Sequence, residues 1–131
     1  MKGVDTHVLV RLLTDDDPAQ ALAAERWINS ALHAGESVFI ADVVLAELAW
    51  VLDRTYGLPR AEIADAITSL LRTPGVTVRA PDEVSRALVR YRTSKGGFSD
   101  FLIAEQVAAV GCSATATFDR ALWVETEFVR P

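Results

Sequence analysis

Four acidic residues occupy positions where a carboxylate could do chemistry rather than merely carry charge. Asp5 follows the apolar lead into Val4, Glu47 sits inside an apolar run, Asp100 opens another, and Asp119 closes a stretch of small, β-favouring residues. Carboxylates gathered in one crevice repel one another and raise each other's pKa unless a cation neutralises them, so such a set predicts a divalent metal site. Oxygen donors without His or Cys suit magnesium or manganese rather than zinc. His7 and His33 are the only histidines, too few and too scattered for a zinc triad. Metals held by carboxylates act on phosphate esters, where they generate a nucleophile from water and stabilise an in-line transition state. Taken singly, each acid has an ordinary alternative. Asp5 ahead of an apolar run reads equally as a helix N-cap. Glu47 is either solvated on an outer stripe or facing a crevice with a cation.

The elements that would have to position these acids alternate along the chain. Gly3 to Asp5 closes a short first strand, and Thr6 to Leu13 reads as a helix ending at Thr14-Asp15-Asp16-Asp17-Pro18. Asp17-Pro18 predicts an N-cap followed by proline at a first helical position, so the acidic triplet reads as turn and cap rather than metal site. Ala19 to Ala34 has helical apolar spacing, with His33 stabilising its C-terminal end. Ser37 to Ala41 suits a buried second strand, with Asp42 as the cap of a helix from Val43 to Arg54. A helix over Arg60 to Arg72, a third strand at Val76 to Val78 and a helix from Asp82 through Arg92 follow. The flexible pair Gly96-Gly97 leads to a helix beginning at Ser99 or Asp100. Cys112 to Ala116 reads as a fourth strand with Cys112 buried, Ala121 to Trp123 as a short helical turn, and Glu127 to Val129 as an edge strand. Strands alternating with helices predict an α/β fold in three layers (α/β/α) with a central parallel sheet of four to five strands.

Composition narrows the function classes. The 131 residues, half of them hydrophobic, suit one compact soluble domain over 1–131. A formal charge of −5 argues against holding nucleic acid by net charge alone, so local basic residues or metal ions would have to serve. Candidates for steering a phosphate are Arg86, Arg90, Arg92, Lys95 and Arg120, the last beside Asp119. A single cysteine excludes an internal disulfide, and no signal peptide or membrane-length apolar run is present, which together predict a cytoplasmic location. There is no phosphate-binding glycine loop, dinucleotide fingerprint or nucleophile elbow. Trp27, Trp50 and Trp123 serve either as core or as anchors at protein contacts.

With these residues in place, the sequence resembles the PIN-domain ribonucleases of the VapC toxin type, from toxin–antitoxin modules. The resemblance covers essentially the whole chain. It is carried by Val4-Asp5-Thr6 with Val8-Leu9-Val10-Arg11-Leu12-Leu13, by Asp42 to Glu47, by Phe98-Ser99-Asp100-Phe101-Leu102-Ile103-Ala104 and by Thr117-Phe118-Asp119. It implies a PIN-like fold and a Mg²⁺- or Mn²⁺-dependent endoribonuclease cutting RNA. Asp5, Glu47 and Asp100 would be the principal catalytic acids and metal ligands, with Asp119 completing the quartet directly or through water. Thr6 and Thr117 would orient the Asp5 carboxylate. His7 stands where the family often has Asn. The resemblance also implies a homodimer and a cognate VapB-like antitoxin whose tail occupies the groove. Rival readings are a housekeeping PIN nuclease for RNA processing and an inactive PIN-like or receiver-like binding module; for a receiver, the only lysines, Lys2 and Lys95, leave the late supporting lysine unfilled.

Overall fold

The structure, a computed structural model, describes residues 1–131. Its contacts divide the chain into two compact units, Met1–Pro81 and Asp82–Pro131. The element order is β1 (Lys2–Gly3), α1 (Thr6–Leu13), α2 (Pro18–His33), β2 (Val38–Ile40), α3 (Asp42–Arg54), α4 (Arg60–Arg72), β3 (Val76–Val78), α5 (Pro81–Thr93), α6 (Phe98–Ala109), β4 (Thr115–Ala116), a 3₁₀ turn (Arg120–Val124) and β5 (Phe128–Val129).

The first unit is built on a three-stranded parallel sheet in the order β1-β2-β3. Gly3 pairs with Phe39, and Ile40 with Val78. Val38 of β2 clusters with Ile28 and Ala31 of α2, and Ile40 of β2, Leu9 and Val10 of α1, Leu45, Leu48 and Leu52 of α3, and Ile63 and Ile67 of α4 are buried as well. Apolar residues recurring every three or four positions place these side chains on single helix faces, and burying them drives the packing. At the α1–α2 turn, Asp17 accepts a bond from the Gln20 N–H at 3.1 Å with Pro18 as the first helical residue, as the sequence predicts. At the far end of α2, the His33 ring nitrogen lies 2.8 Å from the Asn29 carbonyl.

The second unit holds a separate parallel pair, with Thr115 opposite Phe128 and Ala116 opposite Val129. Its buried aromatic residues meet edge to face: Tyr91 and Phe98 are 6.2 Å apart at 72°, Phe101 and Phe128 6.4 Å apart at 67°.

The expected α/β class with parallel strands is observed, but the strands fall into a sheet of three and a pair rather than one sheet of four to five. Two local causes shorten them. Asp5 turns the chain into α1, so the first strand, Lys2–Gly3, stops short of the expected end at Asp5, with one further bond from the Val4 N–H to the Phe39 carbonyl at 3.3 Å. Near the fourth strand, Gly111 at φ +96° closes α6: its N–H donates to the Ala108 carbonyl at 3.0 Å, and the Cys112 N–H to the Val107 carbonyl at 3.0 Å. That double closure takes residues from the strand and leaves Cys112 exposed rather than buried.

Three smaller expectations also change. Asp42 is not the cap of α3; Ala41 is, and Asp42 lies in the first turn, 2.6 Å from the Arg79 guanidinium that follows β3. The sixth helix starts one or two residues earlier than expected, at Phe98 after Gly97. Gly96 is buried, and a Cβ there would stand 2.5 Å from Leu122 and 2.9 Å from Phe101, so glycine at this position serves close packing rather than flexibility.

Candidate active site

In the first unit, β1 ends at the start of α1, and Asp5 is the residue at the joint. Its Oδ1 accepts a hydrogen bond from the Val8 N–H at 3.1 Å, so the helix-cap reading of Asp5 is correct as far as it goes. The same residue is exposed, and its second oxygen takes no hydrogen bond. Thr6, next in the chain, is the buried polar residue of the protein at 2 % exposure. Its hydroxyl donates to Oε1 of Glu47 on α3. A buried hydroxyl has to find a partner, and this one finds it on a carboxylate, a charge-assisted bond that fixes Glu47 relative to the start of α1. Thr6 therefore orients Glu47, not Asp5 as the resemblance implied.

In the second unit, Asp100 lies in the first turn of α6 and its Oδ2 accepts the Gly97 N–H at 2.8 Å. Asp119 precedes the 3₁₀ turn, where its Oδ1 accepts the Ala121 N–H at 2.9 Å. The Thr117 hydroxyl accepts the Asp119 N–H at 3.1 Å, so Thr117 shapes the turn around Asp119.

The four acids share one arrangement. Each uses one carboxylate oxygen for a bond that fixes its orientation, and each leaves the other oxygen without a hydrogen bond or ion pair. No Lys or Arg neutralises any of them. Each of these carboxylates, a hard oxygen donor held in place and left unpaired, is of the chemical type that suits a divalent cation of the magnesium kind. Within either unit taken alone, three or more His, Cys, Asp or Glu side chains do not converge into a metal-holding group.

The basic candidates divide. Arg86 bonds Glu105 at 2.8 Å, and these carboxylate contacts raise its pKa further. Arg90 contacts Glu105 and Glu125, each at 3.7 Å, and Glu127, and its guanidinium stacks 4.6 Å above the Phe101 ring. Both arginines are committed within their unit. Arg92, Lys95 and Arg120 are exposed, and Arg120 has no hydrogen bond or ion pair. Trp27 and Trp50 are 42 % and 61 % exposed, while the half-buried Trp123 donates its indole N–H to the Thr117 carbonyl at 2.9 Å.

Two features had no local signature in the sequence. One is a cavity of about 480 Å³ beside Asp5, walled by Val4, Val8, Ala24 and Trp27 and edged by His7. The other is the bonding of Asp16 to the Tyr56 hydroxyl at 2.6 Å and to Arg11 at 3.1 Å. Tyr56, followed by Thr14 and Arg11, holds the Asp16 carboxyl below its ordinary 3.8.

The PIN-domain family model matches residues 3–127, a span that takes in all four acids. This chain belongs to the PIN-domain family. As a PIN domain it is similar to a VapC ribonuclease of Aquifex aeolicus (strain VF5), 24 % identical over 120 residues that cover 92 % of this chain and 88 % of the relative. It also aligns with the crystal structure of VapC20 from Mycobacterium tuberculosis, a toxin described as cleaving the sarcin–ricin loop. There the identity is 24 %, the TM-score 0.44 and the coverage complete for both chains. No helix of this PIN domain is long and apolar enough to cross a membrane.

Proposed function

We propose that this PIN domain is a Mg²⁺- or Mn²⁺-dependent endoribonuclease acting as the toxin of a toxin–antitoxin module. The observation that carries the reading is the shared state of Asp5, Glu47, Asp100 and Asp119: oriented through one oxygen, unpaired at the other. The PIN match and the VapC ribonuclease likeness support it.

In this reading the four carboxylates hold the cation. When bound, it supplies a water nucleophile at neutral pH and neutralises charge building on the phosphate. The chain contributes the positioning. Backbone N–H groups of Val8, Gly97 and Ala121 and the Thr6 hydroxyl hold one oxygen of each acid, so little reorganisation remains when substrate arrives. Arg120, exposed beside Asp119, contacts a phosphate oxygen of the RNA.

The exposed stripe Val43, Glu47 and Trp50 on α3 supports protein contacts near one of the acids, with Val43 at 71 % and Trp50 at 61 % exposure. We assign such contacts to a second copy in a cytoplasmic homodimer and to a VapB-like antitoxin. The antitoxin places a basic side chain against the unpaired carboxylates. Induction in cells and incubation of purified protein with RNA and Mn²⁺ test the reading. It expects growth arrest, cleavage that a chelator stops, and relief of both by the product of an adjacent small reading frame. Normal growth and intact RNA would count against it.

A further inference from the structure

The basic residues named so far as phosphate contacts all lie in the second unit, whereas Asp5 and Glu47 lie in the first. In the first unit the sheet itself places a cation. β1, β2 and β3 run parallel, so their C-terminal ends share one edge, and ligands of open parallel sheets bind outside that edge. The pairs Gly3–Phe39 and Phe39–Thr77 set the level of the three strands. Two residues further on, the same register brings Asp5, Ala41 and Arg79 to one height. Asp5 and Arg79 therefore flank the end of β2, two strand spacings, roughly 10 Å, apart.

Arg79 is held in that place by Asp42. Its Nε donates to Oδ2 of Asp42, in the first turn of α3, at 2.6 Å. The Asp42 side chain is 20 % exposed and that of Arg79 53 %, so the carboxylate is the anchored partner and the arginine the one open to water. Oδ1 of Asp42 is buried and accepts no hydrogen bond, so the Asp42 contact is a single one through Nε rather than a fork using both carboxylate oxygens. A half-exposed ion pair of this kind contributes little to stability. What it does is fix the plane of a guanidinium whose geometry matches phosphate oxygens, which reduces the freedom lost when an anion arrives.

We propose that Arg79 is a substrate-binding residue that contacts the phosphate flanking the one at Asp5, and that Asp42 is the residue that positions it. The proposal rests on the ribonuclease reading for its substrate. Arg79 holds the RNA backbone along the C-terminal edge of the sheet, and because it meets a phosphate it does so whatever the neighbouring base.

The test titrates a fluorescein-labelled 12-mer oligoribonucleotide of mixed sequence in Ca²⁺ at several salt concentrations. Wild type is compared with Arg79→Gln, Asp42→Ala, the double variant and Arg72→Gln, all matched by circular dichroism. Arg72 is exposed at the end of α4, ahead of β3 and so toward the opposite edge, and its variant loses the same charge. Arg79→Gln should weaken binding by roughly five- to tenfold at 0.1 M salt and lower the slope of log affinity against log salt by about one, while Arg72→Gln changes neither. Asp42→Ala reads the positioning by its sign. Loss of a negative charge alone would tighten RNA binding, so weaker binding in Asp42→Ala, absent when Arg79 is already Gln, is the expected result. Should Asp42→Ala not fold, Arg79→Lys takes its place: it keeps the charge without the planar fork, and its salt slope should be kept while its affinity falls about threefold or more. A wild-type slope in Arg79→Gln, an equal loss in Arg72→Gln, tighter binding in Asp42→Ala, wild-type affinity in Arg79→Lys, or no RNA binding by wild type overturns the proposal. Cleavage of the 12-mer by wild type in Mn²⁺ keeps the two readings apart. Cleavage with an unaltered slope in Arg79→Gln sinks the Arg79 contact alone, and a lowered slope without cleavage sinks the nuclease alone.

Discussion

The Thr6 hydroxyl donates to the Glu47 carboxylate across 41 residues of sequence, joining the start of α1 to the exposed face of α3. Because Thr6 is buried and Glu47 exposed, the bond fixes a carboxylate that would otherwise sample several rotamers in water. Thr6→Val keeps the shape of the side chain and removes the donor. RNA cleavage should fall about tenfold or more and the Mn²⁺ concentration giving half-maximal rate should rise, as is usual when a residue orienting a ligand is lost. Unchanged metal dependence would show that Thr6 matters only for packing.

Asp5 has two roles that substitution can separate. Asn caps a helix about as well as Asp, whereas Ala does not and costs about 1 kcal/mol. Asp5→Asn should therefore unfold within a degree or so of wild type, while Asp5→Ala should lose roughly 3–5 °C in Tm. Both should lose RNA cleavage by about a hundredfold or more if the carboxylate charge holds the cation. An Asn variant that cleaves normally would leave Asp5 as a cap and nothing else.

How much of this was legible in the sequence follows from the range of each interaction. The bounds of α1 and α4 match the sequence reading because apolar spacing, Pro59 and the Thr14 turn are local signals. The Asp17 cap and the His33 contact were legible for the same reason. The exposure of Cys112 depends on Gly111 closing α6, and small β-favouring residues after a glycine look alike in a strand and in a helix closure. Asp42 lies one residue inside the α3 cap and bonds Arg79, 37 positions away, which no local pattern shows. At the site, the types and order of the four acids are legible, but not which atom each hydroxyl binds; the resemblance implies Thr6 beside Asp5, and the structure bonds it to Glu47.

Arg90 illustrates the same limit and yields a prediction. In sequence it is one of several arginines in a basic stretch; in the fold it faces Glu105, Glu125 and Glu127 over the Phe101 ring. Arg90→Met would leave three carboxylates around one lost cation in a half-buried position. It should destabilise the protein by about 2 kcal/mol, read as a lower urea midpoint, and Arg90→Lys should recover less than half because it lacks the planar fork. The salt dependence of RNA affinity should stay the same, whereas loss of a direct phosphate contact would reduce that slope by about one.

Acid sensitivity should trace to Asp16. Its carboxyl titrates below its ordinary 3.8, chiefly because the Tyr56 hydroxyl donates to it. A depressed folded pKa contributes stability that is present above the unfolded value and is lost as pH falls through the folded one. Tyr56→Phe should therefore lower the urea midpoint at pH 6–7, and the difference from wild type should shrink below about pH 4. A difference independent of pH would mean that Tyr56 acts through packing rather than through Asp16.

The most direct test lies at Asp100. Asn there can still accept the Gly97 N–H bond, so the fold of α6 should be kept while the negative charge is removed. Purified wild-type protein and Asp100→Asn, matched by circular dichroism and Tm, would be incubated with RNA in Mn²⁺ with and without chelator. Chelator-sensitive cleavage by wild type with a loss of about a hundredfold or more in the variant is the predicted result. Cleavage that persists unchanged in Asp100→Asn would contradict the assignment of these acids as the active site.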